Sequence, residues 1–253
     1  MSDYTEMYNS WIREEEASFT GWDFSHLTGR MTEEPLPWDY RNILNRYLKP
    51  EHILLDMGTG GGEFLLSLNH THKNTYVTEA YAPNLELCFE RLTPLGITVK
   101  QILEDDIIPY DDNMYDMVIN RHESFNASEI FRVLKPEGIF ITQQVGGENN
   151  RILSDILIED FHPLYENHNL TANISLVENA GFRVMEAEEY FPKLRFTDVG
   201  AVVYFAKVIE WEFMGFSVER CKDRLLQLQS LIEKQGYIES REHRFILVCR
   251  KEA

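Results

Sequence analysis

Residues 53–66, ILLDMGTGGGEFLL, constrain this chain more than any other stretch. Ile53, Leu54 and Leu55 form the unbroken apolar run that a parallel strand buried on both faces requires. Asp56 closes the run, and Gly58, Gly60, Gly61 and Gly62 follow at once. Glu63 to Leu68 then carries Phe64, Leu65, Leu66 and Leu68, enough to bury one side of a helix. Strand, glycine-rich turn and helix make the first half of a βαβ unit, whose turn lies at the ligand crevice of an open α/β sheet. A backbone without Cβ turns tightly and lets a ligand come close. The first amides of the helix point into the same space. A cofactor with a nucleoside or anionic part is expected there.

Spacing narrows the choice. The dinucleotide fingerprint Gly-x-Gly-x-x-Gly/Ala, started at Gly58, finds Gly60 but then meets Glu63 where a small residue should stand. The stretch instead resembles the first motif of class I S-adenosylmethionine-dependent methyltransferases, acidic-x-Gly-x-Gly-x-Gly. Asp56, Gly58, Gly60 and Gly62 fall on its four positions. Downstream, Pro109 to Val118 is similar to the Pro-Phe-x-x-x-x-Phe-Asp-x-Val block of the small-molecule, quinone-biosynthesis type. Arg132-Val133-Leu134-Lys135-Pro136-Glu137-Gly138 is similar to that family's Arg-Val-Leu-Lys-Pro-Gly-Gly block, with Glu137 in place of a glycine. The resemblance covers about residues 50–190, and 236–250 by topology only.

The rest of the chain alternates helices with strands. Ile43, Leu44, Tyr47 and Leu48 have helical spacing, and Lys49-Pro50 ends that helix. Thr75 to Ala80 reads as a second strand and Ile97 to Leu103 as a third. Pro83 to Leu95 between them is an amphipathic helix stopped by Gly96. Tyr115 to Asn120 is a fourth strand, Gly138 to Val145 a fifth, Phe182 to Phe191 a sixth, and 241–250 the last. Arg195 to Phe216 reads as a helical lid insertion, followed by a helix from Ser217 to Gln235. Such alternation predicts an α/β, doubly wound, mostly parallel sheet. With the resemblance it becomes a Rossmann-like seven-stranded sheet whose last strand is antiparallel. A helical cap over 1–50 would precede a methyltransferase domain over 51–253, with the insertion at about 192–235.

The resemblance implies that Asp56, Gly58, Thr59, Gly60 and Gly62 cradle S-adenosylmethionine. Glu79, 19 positions after Gly60, stands where an acidic strand end accepts hydrogen bonds from ribose hydroxyls, with Ala80 beside it. Glu104 or Asp105 would read the adenine amino group, and Asn120 and Arg121 complete the cofactor's surroundings. His122 is the candidate general base, since its ordinary pKa lies near neutrality. Packing against the cofactor is the competing role. Glu123, Gln143, Trp38 and Trp211 are candidates for substrate contact; a buried structural amide and plain core packing are the alternatives for Gln143 and the tryptophans.

Composition excludes other classes. Net charge is -18, the reverse of the basic surface that binds a phosphate backbone, and no Asn/Asp-Pro-Pro-Tyr/Phe motif of nucleobase methyltransferases is present. The longest apolar stretch, Val199 to Ala206, is far shorter than the roughly 20 residues that span a bilayer. Three scattered cysteines, Cys88, Cys221 and Cys249, suit a reduced, cytoplasmic setting. No metal-ligand spacing occurs. The expected enzyme takes a small-molecule methyl acceptor and uses no nucleic acid or membrane; its oligomeric state is open. The alternatives are a protein that binds the adenosyl cofactor without turnover and a nicotinamide-dependent oxidoreductase.

Overall fold

The computed structural model describes residues 2–19, 24–103 and 107–252. In chain order the strands are β1 (Met31–Glu33), β2 (Leu54–Met57), β3 (Thr75–Glu79), β4 (Thr98–Gln101) and β5 (Tyr115–Arg121). They continue with β6 (Leu134–Val145), β7 (Phe182–Tyr190), β8 (Lys193–Phe196), β9 (Ile238–Arg241) and β10 (Arg244–Lys251). The helices are α1 (Ser2–Glu15), α2 (Tyr40–Tyr47), α3 (Glu63–Ser67), α4 (Ala82–Arg91) and α5 (Ala127–Val133). After these come α6 (Arg151–Leu157), α7 (Leu170–Asn179), α8 (Val199–Val208) and α9 (Lys222–Gln235). The chain forms two compact units. One is Pro37–Gly146 with Asn167–Tyr190 and Arg244–Ala253; the other is Met1–Leu36 with Gly147–Glu166 and Phe191–His243.

The first unit holds a seven-stranded sheet in the order β4-β3-β2-β5-β6-β10-β7. β4, β3, β2, β5 and β6 run parallel, and β10 is antiparallel to both β6 and β7. Both faces are covered. Leu54, Val77, Met117, Ile119 and Ile141 pack on one side with Ile43 and Leu44 of α2, Leu65 of α3 and Cys88 of α4. Leu55, Val118, Phe140 and Leu247 pack on the other with Ile130 and Val133 of α5 and Val177 of α7. Two-sided burial is why these strands read as apolar runs and not as alternation. Asp39, Asn126 and Asn169 cap α2, α5 and α7 by accepting backbone N–H bonds, which supplies partners for otherwise orphaned amides.

Two strands differ from expectation. β6 starts at Leu134, ahead of Gly138: Tyr115 pairs with Leu134, but Met117 already pairs with Ile139. Residues 135–138 therefore bulge out of the ladder, with Glu137 at φ 66° and Lys135 held by Asp116 at 2.8 Å. β4 keeps only Thr98–Gln101 because it is a solvent-facing edge strand.

The second unit was only partly legible. A three-stranded antiparallel sheet, β1-β8-β9, replaces the helical start expected at Arg195. Its centre is α8, in which Val199 to Ala206 are all buried. Trp11 of α1, Leu153 and Leu157 of α6, and Leu225 and Leu228 of α9 pack around it. Asp198 fixes the start of α8: it accepts from Ala201 N at 2.8 Å and from the Arg30 guanidinium at 2.6 and 2.9 Å. The helix expected from Ser217 begins at Lys222, after a turn in which the Ser217 hydroxyl accepts from Arg220 N. Among the described residues no helix is long and apolar enough to cross a membrane.

Candidate functional site

In the larger unit the strand order reverses between β2 and β5, so the segments leaving these two strands open side by side at the carboxyl edge of the sheet. Such a switch point is where open α/β sheets bind ligands. The segment after β2 is the glycine turn; the segment after β5 begins at Arg121-His122-Glu123.

Gly58, Gly60 and Gly62 have φ of 65°, 64° and 79°, the left-handed region that favours glycine. Space around them differs. A Cβ on Gly60 would meet nothing within 4 Å, whereas one on Gly62 would come within 2.8 Å of Leu92. A Cβ on Gly58 would lie 2.7 Å from Cβ, Cγ and Oε2 of Glu123. Gly62 thus lets Leu92, just after α4, pack closely, Gly60 opens onto free space, and Gly58 makes room for the Glu123 side chain.

Three successive loop residues each touch a carboxylate. Glu123 lies against Gly58. The Thr59 hydroxyl donates to Asp56 Oδ2 at 2.7 Å. The Gly60 amide donates to Glu79 Oε2 at 2.8 Å. Glu79 is 3% exposed, and its other oxygen accepts from the amides of Ala80 and Tyr81, both at 3.0 Å. Three of its roughly four lone-pair directions are thereby used, and the glycine turn is tied to the start of α4. Burial pushes the Asp56 carboxyl up to about 7; the Thr59 hydroxyl and Arg121 pull the other way, and Glu79 adds to the rise. The Cys88 thiol donates to Gly60 O at 3.1 Å.

Across the switch point, the Arg121 guanidinium sits 4.4 Å from the Phe64 ring centroid, a cation–π contact. Tyr40 packs on Phe64 at 5.5 Å and donates to Asn120 O at 3.0 Å. Register places Arg121 beside Gln143 and Asn120 beside Thr142, and successive strand residues face opposite ways. Asp56, Glu79, Arg121 and Gln143 therefore share one face. The Asn120 side chain points to the other, where its Oδ1 accepts from Thr142 and Gln144 at 3.0 and 2.7 Å. Its Nδ2 is buried without a partner.

His122 has φ 63°, an uncommon state for a residue with a side chain. Its amide donates to Gln143 O at 2.8 Å, and its ring Nε2 lies 3.1 Å from Gln143 Nε2. Gln143 Oε1 accepts from Trp38 Nε1 at 2.8 Å. Burial, Arg244 and Arg121 all move the imidazole below its ordinary pKa; its outer edge remains exposed.

The structure thus gathers Asp56, Gly58, Thr59, Gly60, Gly62, Glu79, Ala80, Arg121, His122, Glu123, Gln143 and Trp38 at one edge of one unit. Trp211 lies in the other unit, 45% exposed. Glu104 and Asp105, like Trp22, lie outside the described residues. Tyr40, Phe64 and Cys88, which also meet at this edge, carry no sequence signal beyond that of ordinary core residues.

A groove of about 640 Å³ runs along the same unit, lined by Trp38, Asn42, Arg46, Glu186, Glu188 and Ile246 among others.

The donor set fits an adenosyl ligand: free space at Gly60, an acidic strand end, and carboxylates along the turn. Residues 55–142 match the family model described as a methyltransferase domain. No curated protein matches the sequence. Among solved structures, a candidate methyltransferase from Bacillus halodurans is similar at 17% identity and TM-score 0.54, over 85% of this chain and 99% of that one. The YcgJ protein from Bacillus subtilis gives 15% and 0.56 over 84% and 97%. A SAM-dependent methyltransferase from Methanosarcina mazei gives 14% and 0.50 over 87% and 99%. Sheet order and the antiparallel last strand give the larger unit the fold of class I S-adenosylmethionine-dependent methyltransferases, and the segment 55–142 within it resembles a methyltransferase domain.

Proposed function

We propose that this protein binds S-adenosylmethionine on the Gly58–Gly62 turn and transfers its methyl group in line to a small-molecule acceptor. The observation that carries the reading is the row of carboxylates, Glu123, Asp56 and Glu79, against Gly58, Thr59 and Gly60. Like charges 4 Å apart repel by about 4 kcal/mol at an effective dielectric of 20. A dinucleotide pyrophosphate on this turn meets that repulsion, whereas a ligand bearing a sulfonium and an ammonium is attracted.

Bound there, S-adenosylmethionine supplies a methyl group already activated on a positive sulfur. The chain's own contribution is then binding, alignment and exclusion of water. Glu79 holds the turn and offers its remaining lone pair to a hydroxyl. Phe64 and Tyr40 hold Arg121 beside the acidic groups. Two features support a small acceptor: a net charge of -18, which disfavours polyanions, and a groove of about 640 Å³, within the size range that small ligands fill.

The test is thermal unfolding with S-adenosylmethionine, S-adenosylhomocysteine and NADH, each in excess, since a ligand of the native state raises the midpoint. A rise with both adenosyl ligands and none with NADH is expected. A rise with NADH alone overturns the proposal.

A further inference from the structure

The polar atoms around His122 fix one another's roles. An indole N–H only donates, and that of Trp38 lies 2.8 Å from one terminal atom of the Gln143 amide. That atom is therefore the carbonyl oxygen, and the opposite end is the NH2 group, which also only donates. The NH2 nitrogen lies 3.1 Å from His122 Nε2, so Nε2 supplies the lone pair. In a neutral imidazole the single proton then resides on Nδ1.

We infer that Trp38 and Gln143 are positioning residues that hold His122 neutral with its proton on Nδ1, so that the ring meets the methyl acceptor as a hydrogen-bond donor and not as a general base. The identity of the acceptor's partner rests on the methyltransferase reading; the state of the ring does not.

The surroundings agree from every side that packs on the ring. Protonation would set an Nε2–H against the Gln143 NH2, donor to donor, and abandon a part-buried hydrogen bond. Arg121, one residue earlier on β5, and Arg244, at the start of β10, both oppose a positive ring. Glu123 is the neighbouring group of opposite sign, and its side chain is turned against Gly58. The left-handed backbone at His122 has a use in this light. It lets the amide N–H reach Gln143 O while the ring reaches the side chain of the same glutamine, so one residue holds His122 at two points. Strained backbone kept by its surroundings is a mark of functional positions.

The consequence is chemical. A base needs a free lone pair, and the only one on this ring is given to Gln143. The substrate class that suits the site presents a lone pair of its own, a carbonyl or anionic oxygen or a ring nitrogen, to Nδ1–H. Its methyl-accepting atom carries no proton that His122 has to remove.

Histidine NMR on the full chain tests this without activity. The ¹⁵N shifts of the two ring nitrogens report the tautomer, and the His122→Asn spectrum identifies the His122 signal among the 8 histidines. The expected result is a neutral ring protonated on Nδ1 throughout about pH 5 to 8. Trp38→Phe frees the amide to turn over and present its oxygen to Nε2, so the ring no longer shows the Nδ1–H tautomer alone. Gln143→Glu places a carboxylate at Nε2 and raises the midpoint by about one unit or more; it also serves if Trp38→Phe does not fold. A wild-type ring protonated on Nε2, or titrating at its ordinary pKa, overturns the inference. So does a Trp38→Phe protein that folds and keeps the wild-type tautomer. Failure of the methyltransferase reading shows separately, as absence of a thermal shift with the adenosyl ligands.

Discussion

Substituting alanine at Gly58 and at Gly60 separates backbone strain from crowding. Both residues have nearly the same left-handed φ, 65° and 64°, so both variants carry a conformational cost of about 1–2 kcal/mol. Beyond that they differ. The new methyl group at position 60 meets nothing within 4 Å, and the one at 58 falls 2.7 Å from three atoms of Glu123. Glu123 must move, and crowding of this kind costs about 1–3 kcal/mol. Gly58→Ala is thus expected to be the less stable of the two by about 1–3 kcal/mol. For a chain of this size that is a difference in thermal midpoint of about 2–12 °C, measured side by side by differential scanning calorimetry. Glu123→Ala in the Gly58→Ala background should remove the extra cost and leave the strain. Equal midpoints for the two glycine variants, or no recovery in the double variant, would refute the packing of Glu123 on the turn.

Other perturbations bear on the same edge of the sheet. Asp56 binds its proton more tightly when folded, its pKa rising from 3.8 to about 7 through burial. Between these values the folded state holds the extra proton, so stability falls as pH rises, by up to on the order of 4 kcal/mol, and levels off above. Asp56→Asn keeps an acceptor for Thr59 and should flatten this decline; the same slope in wild type and variant, from urea titrations across that pH range, speaks against it. Glu79→Gln loses one of two acceptor oxygens and with it either the Gly60 bond or the Ala80 and Tyr81 bonds. Calorimetric titration should show S-adenosylmethionine binding weakened about tenfold or more, at about 1.4 kcal/mol per factor of ten, and unaltered affinity contradicts the anchoring role. Lys251, 8% exposed, donates to Asn113 Oδ1, Phe131 O and Leu134 O at 2.9, 2.6 and 2.7 Å. Lys251→Met strands these acceptors and should cost about 1–3 kcal/mol in chemical denaturation.

Local chemistry wrote much of the larger unit into the sequence. The run Ile53-Leu54-Leu55, the glycines after Asp56 and the alternation that follows need only nearest-neighbour rules to be read as β2, the turn and a doubly wound sheet. The antiparallel placement of β10 came from the resemblance, since a strand's direction depends on its partners. The second unit was harder. Lys193–Phe196 is short and alternates charge with apolar residues, and its partners, Met31–Glu33 and Ile238–Arg241, are far along the chain. Nothing local announces such a sheet. α8 is apolar all round because it lies at the centre of its unit, and a sequence pattern cannot tell a core helix from a lid.

At the site the division is the same. The sequence by itself determined which residue types stand at the glycine turn and at the two strand ends, because turns, strand ends and acidic caps are matters of backbone conformation within a few residues. Only tertiary structure decided what each does. Glu79 grips three amides, Glu123 lies on Gly58 across the switch point, and Asn120 faces away from Asp56. The lone pair of His122 belongs to a glutamine held by Trp38, 105 residues away from it. A hydrogen bond's direction depends on every partner around it, and those partners meet only when the chain has folded.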